Sequence, residues 1–280
     1  MAHDGRAANG FWTGPASRHS ASGDAQLAIL VEAHRQVFDL LLDATKRLSY
    51  QQWEHPTGCP GWDVHDQLAH CVGVECCMMG DPVPTVEVLG APTEFLRAVE
   101  ADVLARRSVA HQRVRDEAVT VFQRRMHQLT RMAPSVLTEE MVGPGEVRLP
   151  GATMLRLRLF DLLAHEQDIR RALGRLREPG GLAARVVGDH LLQQWSRHWS
   201  RVLAGPGALT VEIVGEEPAT RVIELGNGET DAPRTWLRGS LSQLLPLACG
   251  RGDAPDGHAV FAGGDEELAR RAVATAAMTP

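Results

Sequence analysis

Apolar residues recur every three or four positions through most of the first two hundred residues; beyond them the rhythm changes to alternation. Leu27, Leu30, Val31, Val37, Leu41 and Ala44 predict an amphipathic helix over residues 25–48. Thr57-Gly58-Cys59-Pro60-Gly61-Trp62-Asp63 reads as a tight turn, with Asp63 as N-cap of a second helix ending near Gly80. Pro82, Pro84 and Pro92 exclude a long helix over 81–93, so a loop is expected there. Residues 95–132 read as one further helix, turning Val119, Phe122 and Leu129 inward. A loop from Pro134 to Pro150 leads into a helix over 153–174, stopped by Gly174, and a fifth helix spans 181–204. The first four form an up-down bundle.

After Gly205-Pro206-Gly207, residues 209–214, 221–225 and 235–239 alternate as strands. Ser240 can cap a helix to Cys249, Val260-Phe261 marks a short strand, and Asp265 to Ala277 a closing helix. The expected architecture is α+β and mostly α. It comprises a disordered tail (1–24), a helical bundle (25–205) and a small α+β domain (206–280). Phe11-Trp12 in the tail can dock onto the body.

Composition narrows the function without choosing it. The 44% hydrophobic and 23% charged fractions are those of a globular chain, and 280 residues suffice for a sizeable core. A net charge of -6 argues against a nucleic-acid partner. No apolar run reaches the ~18–20 residues of a membrane span, and the N-terminus lacks a secretory pattern. Cys59, Cys71, Cys76, Cys77 and Cys249 form no C-x-x-C pair, which suits a reduced cytoplasm; Cys71, Cys76 and Cys77 read as small apolar helix residues.

The chemistry lies in a repeat. Asp66-Gln67-Leu68-Ala69-His70 recurs as Asp161-Leu162-Leu163-Ala164-His165, each copy on a predicted helix with carboxylate and imidazole four residues apart. Such a pair, joined by a histidine from a second helix, can hold a metal and leave a coordination position open. The same pattern also fits two helices whose Asp and His pair at the surface. His34, His190 and His198 read as packing residues, and Arg170 and Arg171 as lesser anion-binding candidates. Arg251, between glycines after a helix end, can meet a carboxylate bidentately. G-x-S-x-G, Walker and G-x-G-x-x-G signatures are absent.

Cys59-Pro60-Gly61-Trp62-Asp63-Val64-His65-Asp66-Gln67-Leu68-Ala69-His70 and Asp161-Leu162-Leu163-Ala164-His165-Glu166-Gln167-Asp168-Ile169-Arg170 resemble the mycothiol-dependent maleylpyruvate isomerase family. Ala248-Cys249-Gly250-Arg251 and the closing Ala277-Met278-Thr279-Pro280 add weaker support. The resemblance implies a DinB-like bundle joined to a sterol-carrier-like α+β domain. It implies a divalent metal, usually zinc, on His70, Asp161 and His165, with Asp161 standing where the family has Glu. Asp66 and Asp168 become candidates to orient the imidazoles. The similarity also places Arg251 at the interdomain cleft as a catalytic, anion-binding residue. Mycothiol is the implied cosubstrate; the partner is a small electrophile bearing a carboxylate, isomerised cis to trans or conjugated to the thiol. A metal-dependent hydrolase and a metal-free binding protein with a decayed site are the competing readings. The chain reads as a monomer or homodimer.

Overall fold

The computed structural model describes residues 23–88, 91, 93–203, 205–226, 233–251 and 261–278. Residues 1–22 of the predicted tail, the docking of Phe11-Trp12, and Val260 lie outside these; the tail's last two residues, Gly23 and Asp24, already belong to the first helix.

The first apolar stripe forms α1 (Gly23–Ala44), which buries Leu27, Leu30, Val37, Phe38 and Leu41. Ser49 and Gln52 close a capping box over a short helix, α2 (Tyr50–Trp53), that the periodicity was too brief to reveal. Next comes α3 (Val64–Met78), capped by Asp63 as expected. The single helix expected over 95–132 is two, α4 (Glu94–Arg106) and α5 (His111–Leu129). No glycine or proline marks the break. It is held from outside, by Arg107 reaching across to the Gly61 carbonyl at 3.2 Å and the Asp66 carboxylate at 3.0 Å. On α5, Val114, Ala118, Val121, Phe122 and Leu129 face the core, whereas Val119 is only half-buried.

The expected loop before α6 contains a hairpin, β1 (Glu140–Val142) paired antiparallel with β2 (Arg148–Pro150). Its tip demands Gly145. There φ is +63°, and an added Cβ would lie 2.4 Å from the Phe95 backbone. Then follow α6 (Gly151–Ala172) and α7 (Gly181–Val202); α6 packs against α1, α3 and α7. Gly174, at φ +63°, ends α6 as expected.

Beyond α7 the chain forms β3 (Gly207–Val214), β4 (Ala219–Leu225), β5 (Arg234–Ser240), α8 (Leu241–Ala248), β6 (Phe261–Gly264) and α9 (Glu266–Ala274). The strand order is β4-β3-β5-β6, with β3 and β5 parallel and the other pairs antiparallel. The fold is α+β and mostly α, as its periodicities indicate. Among the described residues no helix is long and apolar enough to cross a membrane.

Specific bonds join the sheet-bearing part to the helices. Trp195 and Trp199 stack with centroids 4.8 Å apart, and their Nε1–H groups donate to the Ala276 and Ala272 carbonyls at 2.8 and 3.2 Å. His198 bonds the Thr275 carbonyl at 2.7 Å. The Glu178 carboxylate accepts from the Leu241 and Ser242 amides at the N-terminus of α8, where the helix dipole favours an anion. These contacts anchor the start of α8 and the α9 segment on the helices.

His34 is fully buried and donates Nδ1–H to the Leu30 carbonyl at 2.7 Å. Burial pushes its pKa down to about 4, and does the same to His190, packed against Phe160. A histidine held below its unfolded pKa contributes fully above about pH 6.5, and that contribution is lost as pH falls towards 4. Each group's loss is about 1.4 kcal/mol per pH unit within the window. Thermal unfolding of the metal-free protein is therefore expected to weaken over that range, and His34→Gln to flatten the decline. Identical slopes for both proteins would contradict this.

Candidate functional site

The site lies between α3 and α6. On α3, Gln67, His70 and Val74 fall at helical spacing along the face turned to α6. On α6, Arg158, Asp161, His165 and Asp168 follow one another at intervals of three, four and three residues, making one polar stripe along the helix. Crossing the two stripes brings His70 Nε2 to 3.1 Å from Asp161 Oδ2 and His165 Nε2 to 3.5 Å from Asp161 Oδ1. The imidazole centroids are 4.4 Å apart. One ligand atom from each of His70, Asp161 and His165 lies within 4.8 Å of the others.

Both imidazoles are buried, while the Asp161 side chain keeps 31% of its surface exposed. That exposed side faces a cavity of about 580 Å³. Trp62 walls the triad, its ring 5.1 Å from His70 and 5.9 Å from His165, with Nε1–H donating to Glu100 at 3.2 Å.

A hydrogen-bond chain orients His165. Its Nδ1 bonds the Gln67 side-chain carbonyl, Gln67 Nε2 donates to Thr57 Oγ1 at 2.8 Å, and the Thr57 hydroxyl donates to the Trp62 carbonyl at 2.9 Å. Fixing a proton on Nδ1 turns Nε2 towards Asp161, the tautomer a metal needs. Gln67 thus does what was expected of Asp168, and in the repeat it had been an unremarked middle position. Asp168 stands 3.9 Å from His165 Nδ1 and accepts instead from Arg251 Nε at 3.1 Å.

Asp66 is also elsewhere. Both its oxygens are taken by Arg107, at 3.2 and 3.0 Å, so it orients no imidazole at the triad. The two copies of the repeat are therefore not equivalent: the first supplies only its histidine, the second both groups. Asp66 groups with Asp63 and His65 in another potential ligand cluster, but Asp63 is the helix cap and Asp66 is ion-paired.

Charge around the triad is arranged through Arg158. Its Nη1 donates to Asp161 Oδ2, and its Nε and Nη2 donate to Glu75 Oε1 at 3.1 and 3.0 Å. Arg125 meets the other Glu75 oxygen at 2.9 Å. Burial alone would raise the Asp161 pKa; Arg158, then His165 and His70, hold it well below the usual carboxylate value. Burial alone would lower His165, yet the adjoining Asp161 carboxylate, with Cys59, holds it up at about 10. For His70 burial wins over Asp161 and brings it down to about 4. The metal-free triad is a carboxylate between one charged and one neutral imidazole.

Arg251 is delivered by the end of α8. Gly250, at φ +62°, lets the Gly250 and Arg251 amides bond back to the Leu247 and Pro246 carbonyls, the double bond of a Schellman cap. The side chain reaches Asp168 and lines the cavity. Cys59 also lines it, 3.8 Å from Asp168, and with His165 and Asp168 forms a second group of potential ligands. Cys71, Cys76 and Cys77, expected as small apolar helix residues, have their thiols pushed up by burial, Cys76 to about 11, which suits inert packing. Arg170 pairs with Glu166 and Asp43, and Arg171 donates to the Ser242 carbonyl, so both bind the fold together.

Residues 34–170 match the family described as mycothiol maleylpyruvate isomerase N-terminal domain. Over those residues the chain is similar to that family. Two solved structures share the fold over 85% of this chain and 92% of theirs. They are a mycothiol-dependent maleylpyruvate isomerase, at TM-score 0.56 and 14% identity, and a mutant of it with alanine for a histidine, at 0.58 and 15%. At such identity the likeness is one of fold. Among curated proteins none matches significantly.

The donor set suits a divalent ion of the kind this family implies. Two imidazole nitrogens and a carboxylate converge, one imidazole has its far nitrogen satisfied by Gln67, and the carboxylate opens onto a cavity. The shorter Asp161, in place of the expected Glu, is braced by Arg158 from the preceding turn of α6.

Proposed function

We propose that this protein is a mycothiol-dependent metalloenzyme whose thiol adds to an electron-poor double bond, giving cis-trans isomerisation or S-transfer. The reading rests on the convergence of His70 with Asp161 and His165 at the floor of the cavity. His70 Nε2, Asp161 and His165 Nε2 would hold the ion, zinc by the nature of the donors. When bound, the metal supplies the charge that keeps a small-molecule thiol ionised at neutral pH.

The chain's own groups do the rest. Gln67 keeps His165 in register and Arg158 holds the Asp161 carboxylate in place. Arg251, steadied through Nε by Asp168, turns its guanidinium to the oxyanion that forms when the thiolate attacks carbon and the double-bond electrons move onto the substrate carbonyl. Rotation about the resulting single bond, followed by expulsion of the thiolate, returns the double bond in trans geometry; protonation of the enolate carbon instead leaves a conjugate. In this reading residues 25–205 carry the metal and residues 206–280 contribute Arg251. The setting is a reduced cytoplasm, where such a thiol persists.

The test is turnover of an activated enone or enedione by zinc-loaded protein, with and without mycothiol. Strict thiol dependence is expected, with Arg251→Ala lowering kcat about 10²–10³-fold. Thiol-independent cleavage of an ester or amide offered beside them would favour the metal-dependent hydrolase. Absence of metal after reconstitution would favour the binding protein.

A further inference from the structure

The cavity beside the triad has two unlike ends. Around the triad lie the charged groups Arg158, Asp161, Arg251 and Glu100. The remainder is walled by apolar side chains, among them Val74, Phe95, Val99, Met154, Leu157 and Phe160. Its volume of about 580 Å³ falls in the range of cavities that enclose a whole small molecule.

The charges at the polar end are already matched. Arg158 is shared between Asp161 and Glu75, the latter wholly buried behind the cavity wall. Arg251 is paired with Asp168, 3.1 Å away. Glu100 adds a carboxylate of its own, 3.8 Å from Arg107. Counting Arg158, Arg251, Asp161 and Glu100 with the buried Glu75 and Asp168, the lining and its immediate partners carry two positive groups against four negative ones. Arg125 behind Glu75 is held by that carboxylate, and Arg107 near Glu100 is held by Asp66, so neither adds an unmatched cation. Arg158 is fully engaged and Arg251 offers only its amino groups, so a substrate bearing two carboxylates would carry at least one of them into the apolar chamber without an ion pair, losing its hydration. An uncharged molecule with an apolar body loses little hydration and gains the burial of that body.

We infer that the electrophile taken by this site is an uncharged, largely apolar unsaturated carbonyl compound, its body in the Val74–Phe160 chamber and its carbonyl turned to Arg251. The carboxylate-bearing substrate implied by the sequence is thereby replaced. The inference rests on the proposed thiol addition at the triad, but concerns which molecule is admitted. A neutral carbonyl needs hydrogen bonds, which a guanidinium anchored through Nε to Asp168 can give from its amino groups.

The experiment is calorimetric titration of zinc-loaded protein with straight-chain 2-alkanones, from pentanone to undecanone, beside maleate. The alkanones carry the carbonyl and the apolar body but cannot accept a thiol. Affinity is expected to rise about fourfold per added methylene over several members, with maleate at least tenfold weaker than the longer ketones. Phe95→Ala is expected to weaken the long ketones more than the short. Flat affinities along the series, or maleate binding more tightly, would overturn the inference. A parallel assay of mycothiol addition to the matching alk-3-en-2-ones separates the two claims. Ketone binding that lengthens as expected, with no addition to any electrophile, supports the ligand class and removes the enzymatic reading. Addition confined to dicarboxylates retains the enzymatic reading and overturns this one.

Discussion

Glu75→Gln is expected to cost about 3–5 kcal/mol of stability, visible as a fall in Tm of about 10 °C. Glu75 is fully buried on α3 and its two oxygens meet Arg125 from α5 and Arg158 from α6. Burial alone would raise its pKa, but Arg158 and Arg125 together hold it below the ordinary value, so attraction outweighs desolvation. The glutamine keeps the shape and loses the charge. Arg125, itself 0% exposed, is left with Gln128 as its remaining side-chain partner, while Arg158 retains Asp161. The asymmetry between building and breaking a buried pair sets the magnitude: the intact pair need add little, but an unpaired buried guanidinium is severe. Denaturation of wild type and variant checks it, and a loss below about 1 kcal/mol, the scale of an exposed pair, would mean the cluster is hydrated.

His165→Ala is expected to abolish metal retention and to lower thiol-dependent turnover by at least ~10³-fold, since it removes one of the three proposed ligands. Gln67→Leu leaves all three ligands and removes only the carbonyl that holds His165 Nδ1. It is expected to weaken metal affinity by a smaller factor, about 10–100-fold, with saturating metal restoring much of the turnover. Metal titration of the three proteins, followed by assay at saturating metal, distinguishes them. Equal losses for both variants would mean that Gln67 supports the fold and not the ring.

The Asp161–His165 pair was legible because its spacing is local on α6, one turn apart on a helix that periodicity alone predicts; its union with His70 came from the family resemblance. His70 was legible through the turn and N-cap that precede α3. Nothing local could show which of two identical-looking carboxylates reaches the site. Asp66 has the same i,i+4 relation to His70, yet Arg107, 41 residues on, claims it. The break between α4 and α5 escaped notice for the same reason, since its anchor is that tertiary bond and not a turn residue. Glu75, Arg125 and Arg158 gave no sign in the sequence that they are core, because it takes the helices on both sides of α3 to enclose them. Gln67 and Cys59 belonged to recognisable motifs but gained a role only when α6 was laid across α3. The β-rich part was legible almost to its bounds, as alternation needs no partner to be read; the cavity was not, because its wall is assembled from the hairpin, α3, α4 and α6.

The central claim is that His70, Asp161 and His165 hold a metal. Elemental analysis of the purified protein, beside a His70→Ala/His165→Ala double variant shown to be folded by circular dichroism, tests it most directly. Close to one equivalent of zinc or another divalent ion in the wild type, and none in the folded variant, is the predicted result. A wild type that stays metal-free after incubation with zinc, or a folded double variant that keeps its metal, would contradict the account.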